Sequence, residues 1–227
     1  ADYSQVELRI AAAIAGEERM IQAYAQGSDL HRQTASIVLG KPVEDISKED
    51  RQLAKAVNFG LLYGQSAKGL VVYAETSYGV KLDIEQARQI RRKFFDEYKH
   101  LREWHSQAEK DASSNCEVLS TKLGRKRWLP MEGDVRWQRF TALLNAPVQG
   151  GAADVIKTAI IGLQAKLPEG AGLVSTVHDE LIVEVPLKDA ETVKKLVEGV
   201  MLESAASLYP TVTFEVEAHI CEDWSEK

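Results

Sequence analysis

Three groups of residues in this chain have the types and spacing for chemistry. Asp179 and Glu180 stand together in Val177-His178-Asp179-Glu180, a polar run between two β-branched stretches. Adjacent carboxylates in a tight turn repel each other, and a cation placed against them offsets that cost. Mg²⁺ suits such a place, because it takes one or two carboxylates and completes its shell with water and phosphate oxygens. The plainer reading is a turn, where Asp is common. Another carboxylate, Asp2, opens the run Asp2-Tyr3-Ser4-Gln5-Val6-Glu7-Leu8-Arg9. Alone it reads as the N-cap of the helix that follows, and Glu7 as a solvated helix residue. The third group says most. Arg51, Lys55, Phe59 and Tyr63 recur every four residues, and at ~100° per residue they lie within ~120° of one another on one helix face. Two cations near the helix start, where backbone N–H groups already favour anions, are followed by two rings ~12–18 Å along the axis. That order suits a triphosphate, then a sugar and a base. The plainer reading is a basic helix whose rings pack inward.

The elements that must position these groups are legible in outline. Val6 to Ala15 is an Ala-rich helix ending at Gly16, and Asp29 caps a helix through Ile37. Gly40, Lys41 and Pro42 break the pattern. Ser47 with Asp50 resembles a capping box and opens a helix to about Tyr63, which Gly64 stops. Helices are expected at Ile84 to Phe95 and His100 to Ala112, with Leu123 to Pro130 as a basic loop. Val135 to Leu144 and Ala152 to Leu167 read as two helices flanking a break at Pro147, Gly150 and Gly151. Gly172 to Thr176 and Leu181 to Val185 form a hairpin with His178, Asp179 and Glu180 at its tip. Asp189 to Ala206 is a helix and Thr211 to Ala218 a half-buried strand. The class is α+β: a helical block, then a mixed block with a small antiparallel sheet.

Composition sets outer limits. With 227 residues and 44% apolar content the chain is an ordinary globular protein of one or two domains. No uncharged apolar run approaches the ~20 residues of a bilayer crossing, so a cytoplasmic protein without a membrane partner is expected. Cys116 and Cys221 lack a CxxC spacing and read as free thiols. The net charge of −6 argues against nucleic acid at first sight, but residues 48–139 hold 18 basic and 13 acidic side chains while both flanks are acidic.

Together the three motifs resemble those of the DNA polymerase I family, family A, in order and over essentially the whole chain. DYSQVELR is similar to its motif A, RQLAKAVNFGLLYG to its motif B and VHDE to its motif C; Asp29-Leu30-His31-Arg32 and the Asn145 to Gly150 run also resemble family segments. The resemblance implies a right-hand palm with a small antiparallel sheet plus a helical fingers subdomain, the thumb being absent. Residues 1–15 and 131–227 would be palm, with the motif C hairpin at 173–185, and 16–130 fingers, with the nucleotide-binding helix at 51–63. The implied activity is template-directed DNA synthesis, adding dNTPs to a primer 3′-hydroxyl with two Mg²⁺ ions, Mn²⁺ being able to substitute. Asp2, Asp179 and the Tyr3 carbonyl would hold the metals and Glu180 would assist. Arg51, Lys55 and His31 would meet the triphosphate, Lys55 also as general acid toward pyrophosphate. Glu7 would exclude a 2′-hydroxyl, and Gln5 would lie at the nucleotide. Phe59 would stack near the sugar, Phe there implying poor acceptance of dideoxynucleotides, and Tyr63 would stack at the templating site. Asn145, Gln149, His178, Arg139 and Arg125 would contact primer–template DNA.

Where the family often carries Arg, four residues before Asn145, this chain has Thr141, with Arg139 two residues earlier. The chain also begins one residue before Asp2. An N-terminal polypeptide carrying the thumb, and possibly an exonuclease-type domain, is therefore expected as partner, in a bacterial or phage-infected cell or an organelle. Two other readings use the same residues: a metal-dependent nuclease, which leaves the Arg51–Tyr63 face unexplained, and an inactive polymerase-derived DNA-binding or assembly subunit, which leaves intact Asp2, Lys55 and Asp179 unexplained.

Overall fold

Strand β1 (Asp2–Tyr3) runs into helix α1 (Val6–Ala15), which Gly16 ends in the left-handed conformation. These belong to a computed structural model that describes residues 1–114, 118–133, 135–223 and 226; Cys116 lies outside them, while Cys221 is an exposed free thiol. Helix α2 (Glu18–Ala25) follows after two residues and was not foreseen. Its cap explains how so short a helix holds. The buried Glu17 carboxylate accepts from Arg19 N, and also from His100 N at 3.0 Å and Leu101 N at 3.3 Å, so one side chain caps α2 and the start of α7 (Lys99–Ala112).

Asp29 caps α3 (Leu30–Leu39) by accepting from the His31 and Arg32 amides. Both halves of the Ser47/Asp50 capping box are present at α4 (Lys48–Leu62). Gly64 then turns the chain at φ 83°, and a Cβ there would lie 2.5 Å from Phe140 Cε1. Two further helices, α5 (Ala67–Tyr78) and α6 (Ile84–Glu97), precede α7. The first of them was missed, because Ser66 caps a segment whose Gly69 and Thr76 weaken the helical signal.

Three expectations need correction. The basic loop contains a strand, β3 (Lys126–Trp128), paired antiparallel with β2 (Val118–Ser120). The two helices flanking a break are one helix, α8 (Arg136–Lys166), with Pro147 inside it. Its glycines are contacts rather than breaks: a Cβ on Gly150 would meet Thr121 Cγ2 at 2.6 Å, and one on Gly151 would fall on the Tyr209 hydroxyl. Burial of Leu143, Leu144, Val148, Val155, Ala159 and Leu163 outweighs the proline, whose cost in a helix interior is about 3 kcal/mol. Lastly, the expected strand over 211–218 shrinks to β6 (Val216–Glu217), with Val212 and Phe214 packed into the core from irregular chain.

The hairpin β4 (Gly172–Val177) and β5 (Glu180–Glu184) forms as expected, followed by helix α9 (Ala190–Leu208). The sheet order is β4-β5-β1-β6, all antiparallel, with the first strand of the chain between strands from its far end. The fold is thus α+β. Its core runs along α1, whose Leu8, Ile10, Ala11 and Ala12 are buried, and on through α8 and α9. Among the described residues no helix is long and apolar enough to cross a membrane.

Candidate active site

Strand pairing joins the two carboxylates that the sequence separates. Asp2 faces Glu180 across the β1–β5 ladder, Leu181 N donates to Ala1 O at 2.8 Å, and Tyr3 N donates to Asp179 O at 3.3 Å. Val177 pairs with Glu180, so only His178 and Asp179 form the hairpin loop, and His178 takes the positive φ of 54° that a two-residue connection demands. Glu180 is therefore not at the tip. It lies within β5 and is buried, whereas His178 is exposed.

Electrostatics single out the same pair. Burial, then the Asp2 carboxylate, then Glu7 push the Asp179 carboxyl above the usual range, against a backbone hydrogen bond and His178. Asp2 Oδ1 is sealed from solvent with no hydrogen-bond partner among the described residues. A buried, unpaired carboxylate oxygen beside a second carboxylate fits a hard divalent cation. Among the described residues no group of three or more His, Cys, Asp and Glu could hold a metal ion, so a cation here would be completed by backbone carbonyl, solvent or substrate oxygens.

The chain around Asp2 is held rigidly. The buried Arg9 donates to the carbonyls of Ser4 and Thr213 and to Glu215 Oε2 at 3.0 Å, and its guanidinium lies 4.1 Å from the centre of the Tyr24 ring. Tyr3 donates its hydroxyl to the Met201 carbonyl. These contacts tie β1 and the start of α1 to α9 and the approach to β6.

On α4 and its C-cap, Arg51, Lys55, Phe59 and Tyr63 share a half-buried face, as their spacing predicts, while Ala54, Val57, Asn58 and Leu61 turn inward. Arg51 Nε donates to Asp29 Oδ2 at 2.6 Å. Burial disfavours the charged Asp29, but the Arg51 bond, the Arg32 amide and the neighbouring positive charges outweigh it and hold the carboxyl below its ordinary range. Tyr63 donates its hydroxyl to Glu7 Oε2, joining the end of α4 to α1; burial first, and then Glu7, raise the Tyr63 pKa. Gln5 accepts from the Tyr24 hydroxyl at 3.4 Å. His31 packs near Phe59, with ring centroids 6.1 Å apart, and burial lowers its pKa to about 4, so it is neutral at pH 7.

The remaining candidates divide. Asn145 and Gln149 lie one turn apart on α8, Gln149 exposed. Arg139 is turned inward: it is buried and donates to the carbonyls of Ala112, Pro130 and Ser114, so its guanidinium holds the segments before and after the β2–β3 hairpin instead of facing a DNA strand. Thr141 folds its hydroxyl back onto the Trp137 and Gln138 carbonyls. Arg125 is partly exposed but committed to Asp154, at 3.1 Å from Nε and 3.0 Å from Nη2. Asp154 also accepts from Thr121 and so fastens the β2–β3 hairpin to α8. Sequence reasoning missed Asp154 and Asn58; the available signal was a polar residue on the inward side of an otherwise apolar helix face.

Two carboxylates brought together by an antiparallel sheet, tied through Glu7 and Tyr63 to a helix carrying cations and then rings, define a fold of the nucleotide-polymerase class. More narrowly, the chain belongs to DNA polymerase family A, whose family model matches residues 1–226. It is 42% identical to DNA polymerase I of Aquifex aeolicus, over 99% of this chain and 38% of that protein. It is 38% identical to the thermostable DNA polymerase I of Thermus aquaticus, over 98% of this chain and 26% of that protein. The solved POL domain of Pol1 from M. smegmatis, in complex with DNA primer-template and dNTP, matches with a TM-score of 0.81 at 33% identity, covering 94% of this chain and 37% of that one. The chain thus spans about a quarter to two-fifths of the length of these relatives.

Proposed function

We propose that this chain is the palm and fingers portion of a DNA-directed DNA polymerase acting in the cytoplasm, extending a primer 3′-hydroxyl with dNTPs on a template. Residues 1–15 and 131–227 are assigned to the palm and 16–130 to the fingers, and the working enzyme includes a thumb-bearing N-terminal region on the same or a second polypeptide. The observation that carries this reading is the closeness of Asp2 to Asp179, whose carboxyl the Asp2 charge pushes up, with one Asp2 oxygen buried and without a hydrogen-bond partner among the described residues.

Asp2, Asp179 and the Tyr3 carbonyl would hold two Mg²⁺ ions, for which Mn²⁺ can substitute. Such a pair, when bound, lowers the pKa of an attacking hydroxyl and stabilises the charge on a leaving pyrophosphate. Arg51 and Lys55 bind the triphosphate, with Lys55 placed to give a proton to the departing oxygen. Glu7, held by Tyr63, stands where a ribose 2′-hydroxyl would enter. Phe59 packs against the sugar, and Asn145, Gln149 and the exposed His178 meet the primer–template duplex, where hydrogen bonds to acceptors common to all base pairs test shape without reading sequence.

Primer extension with Mg²⁺, using this chain together with a family N-terminal region, tests the proposal. Extension that needs dNTPs is expected, with Asp179→Asn lowering the rate by about 10²–10³-fold, the scale of losing a transition-state electrostatic group. Degradation of the template in place of extension, or full activity in the Asp179→Asn variant, would sink it.

A further inference from the structure

A buried chain of polar side chains ends on His31 and is not explained by packing. Asn58 Nδ2 lies 2.9 Å from His31 Nδ1, and Asn58 Oδ1 accepts from Thr34 Oγ1 at 3.0 Å. Thr34 Oγ1 is in turn 3.0 Å from the Tyr98 hydroxyl. Asn58, Thr34 and Tyr98 are all buried, on α4, on α3 and at the junction of α6 and α7. Two helices and the α6–α7 junction thus contribute to a line of hydrogen bonds that an apolar core would not need.

The direction of the line has a chemical consequence. Thr34 Oγ1 donates to Asn58 Oδ1 and can take a proton from the Tyr98 hydroxyl, an arrangement in which the Asn58 NH₂ faces His31. An N–H donor facing Nδ1 needs a lone pair there, so the neutral ring carries its proton on Nε2. Among the described residues Nε2 bonds to no protein group and is not among the buried atoms left without a partner, although the residue as a whole is only 2% exposed. We propose that Asn58 is a positioning residue that holds His31 as the Nε2–H tautomer and so presents a neutral donor to a phosphate oxygen of the incoming triphosphate. This rests on the nucleotide-binding reading above. The opposite amide orientation would leave a lone pair on Nε2, which repels an anion.

The groups around the ring agree. Asp29 favours the charged ring, Arg51 and Lys55 disfavour it, and burial dominates, keeping it neutral. A neutral N–H donor adds a hydrogen bond beside two cations without a third positive charge to desolvate.

The test uses the chain with ¹⁵N-labelled histidine, the His31 signals being assigned by their loss in His31→Gln. Long-range ¹H–¹⁵N spectra at pH 7.5 are expected to show His31 as Nε2–H. In Asn58→Asp the carboxylate cannot donate, so the Nδ1 position should take up a proton. Thr34→Val, which adds no charge, should release the amide and give mixed tautomers, while Thr34→Ser keeps the wild-type pattern. Titration with dNTP and Mg²⁺ should show binding weakened in Thr34→Val in proportion to the lost Nε2–H fraction, about twofold for an even mixture, and unchanged in Thr34→Ser. A wild-type Nδ1–H tautomer, an unmoved proton in Asn58→Asp, or a tautomer change in Thr34→Val that leaves dNTP affinity intact would each overturn the proposal. If the wild-type chain bound no dNTP, the nucleotide-binding reading would fall, and the spectra alone would still decide whether Asn58 sets the tautomer.

Discussion

Glu7 and Tyr63 show why a residue's role cannot be read from its neighbours in sequence. By spacing alone Glu7 is a solvated helix residue and Tyr63 the last ring of a helix face, yet the two meet through a hydrogen bond that closes α4 onto α1. Burial of Tyr63 makes that contact stronger than its counterpart in water, because the carboxylate accepts from a phenol partly shielded from solvent. A double-mutant cycle of Tyr63→Phe and Glu7→Gln in urea unfolding is expected to give a coupling of roughly 1.5–3 kcal/mol, the range for hydrogen bonds to charged groups. Additive single-variant effects would mean that the contact contributes nothing to stability. Asp29 shows the same limit of one-dimensional reading. Its capping role was legible, because it lies directly before α3, whereas its pairing with Arg51 depends on α3 and α4 packing together.

At the scale of elements, local signals predicted local structure and failed where packing decides. Gly16, Asp29, the Ser47/Asp50 box and the 172–185 hairpin act over a few residues, and each appears as expected. Pro147, Gly150 and Gly151 signalled a break for sound propensity reasons, but α8 is pressed between α1, α7 and α9, and its glycines admit Thr121 and Tyr209. The site divides in the same way: the Arg51–Tyr63 face follows from helical period, but the adjacency of Asp2 and Asp179 rests on a strand pairing that no local pattern encodes. Gly64 is the strongest test of an element boundary. It needs a positive φ, and Phe140 of α8 occupies the space a Cβ would take. Gly64→Ala is therefore expected to destabilise by roughly 3 kcal/mol, about 1–2 from the left-handed backbone and the rest from the clash. Adding Phe140→Leu should recover only the clash component, as read from urea midpoints. Full recovery would mean that the backbone conformation costs nothing.

For the molecule as a whole, two buried neutral histidines make stability depend on pH before the carboxylates do. His31 and His105 both have pKa values lowered to about 4, mainly by burial. His105 sits among the rings of Phe95, Trp104 and Phe140, with its Nε2 3.1 Å from the Leu62 carbonyl; that bond favours the protonated ring and the Arg91 charge opposes it. In the unfolded chain both would titrate near 6.5. Between about pH 6.5 and 4 the unfolded state therefore binds more protons than the folded one, and stability falls as pH falls through that window. Below about 4 both states are protonated and the histidine contribution to the slope vanishes. Each group accounts for up to about 3 kcal/mol across the window. The Asp29 carboxyl, held below its ordinary range, adds its own loss only at more acid pH, and the raised Asp179 carboxyl acts in the opposite sense, so the falling term between pH 6 and 5 comes from the histidines. There, the slope of unfolding free energy against pH should fall by about 1.4 kcal/mol per unit in His105→Gln, which removes one titrating group while keeping a donor for Leu62. An unchanged slope would mean that His105 titrates alike in both states, and that the aromatic pocket linking α7 to α8 is wetter than its packing implies.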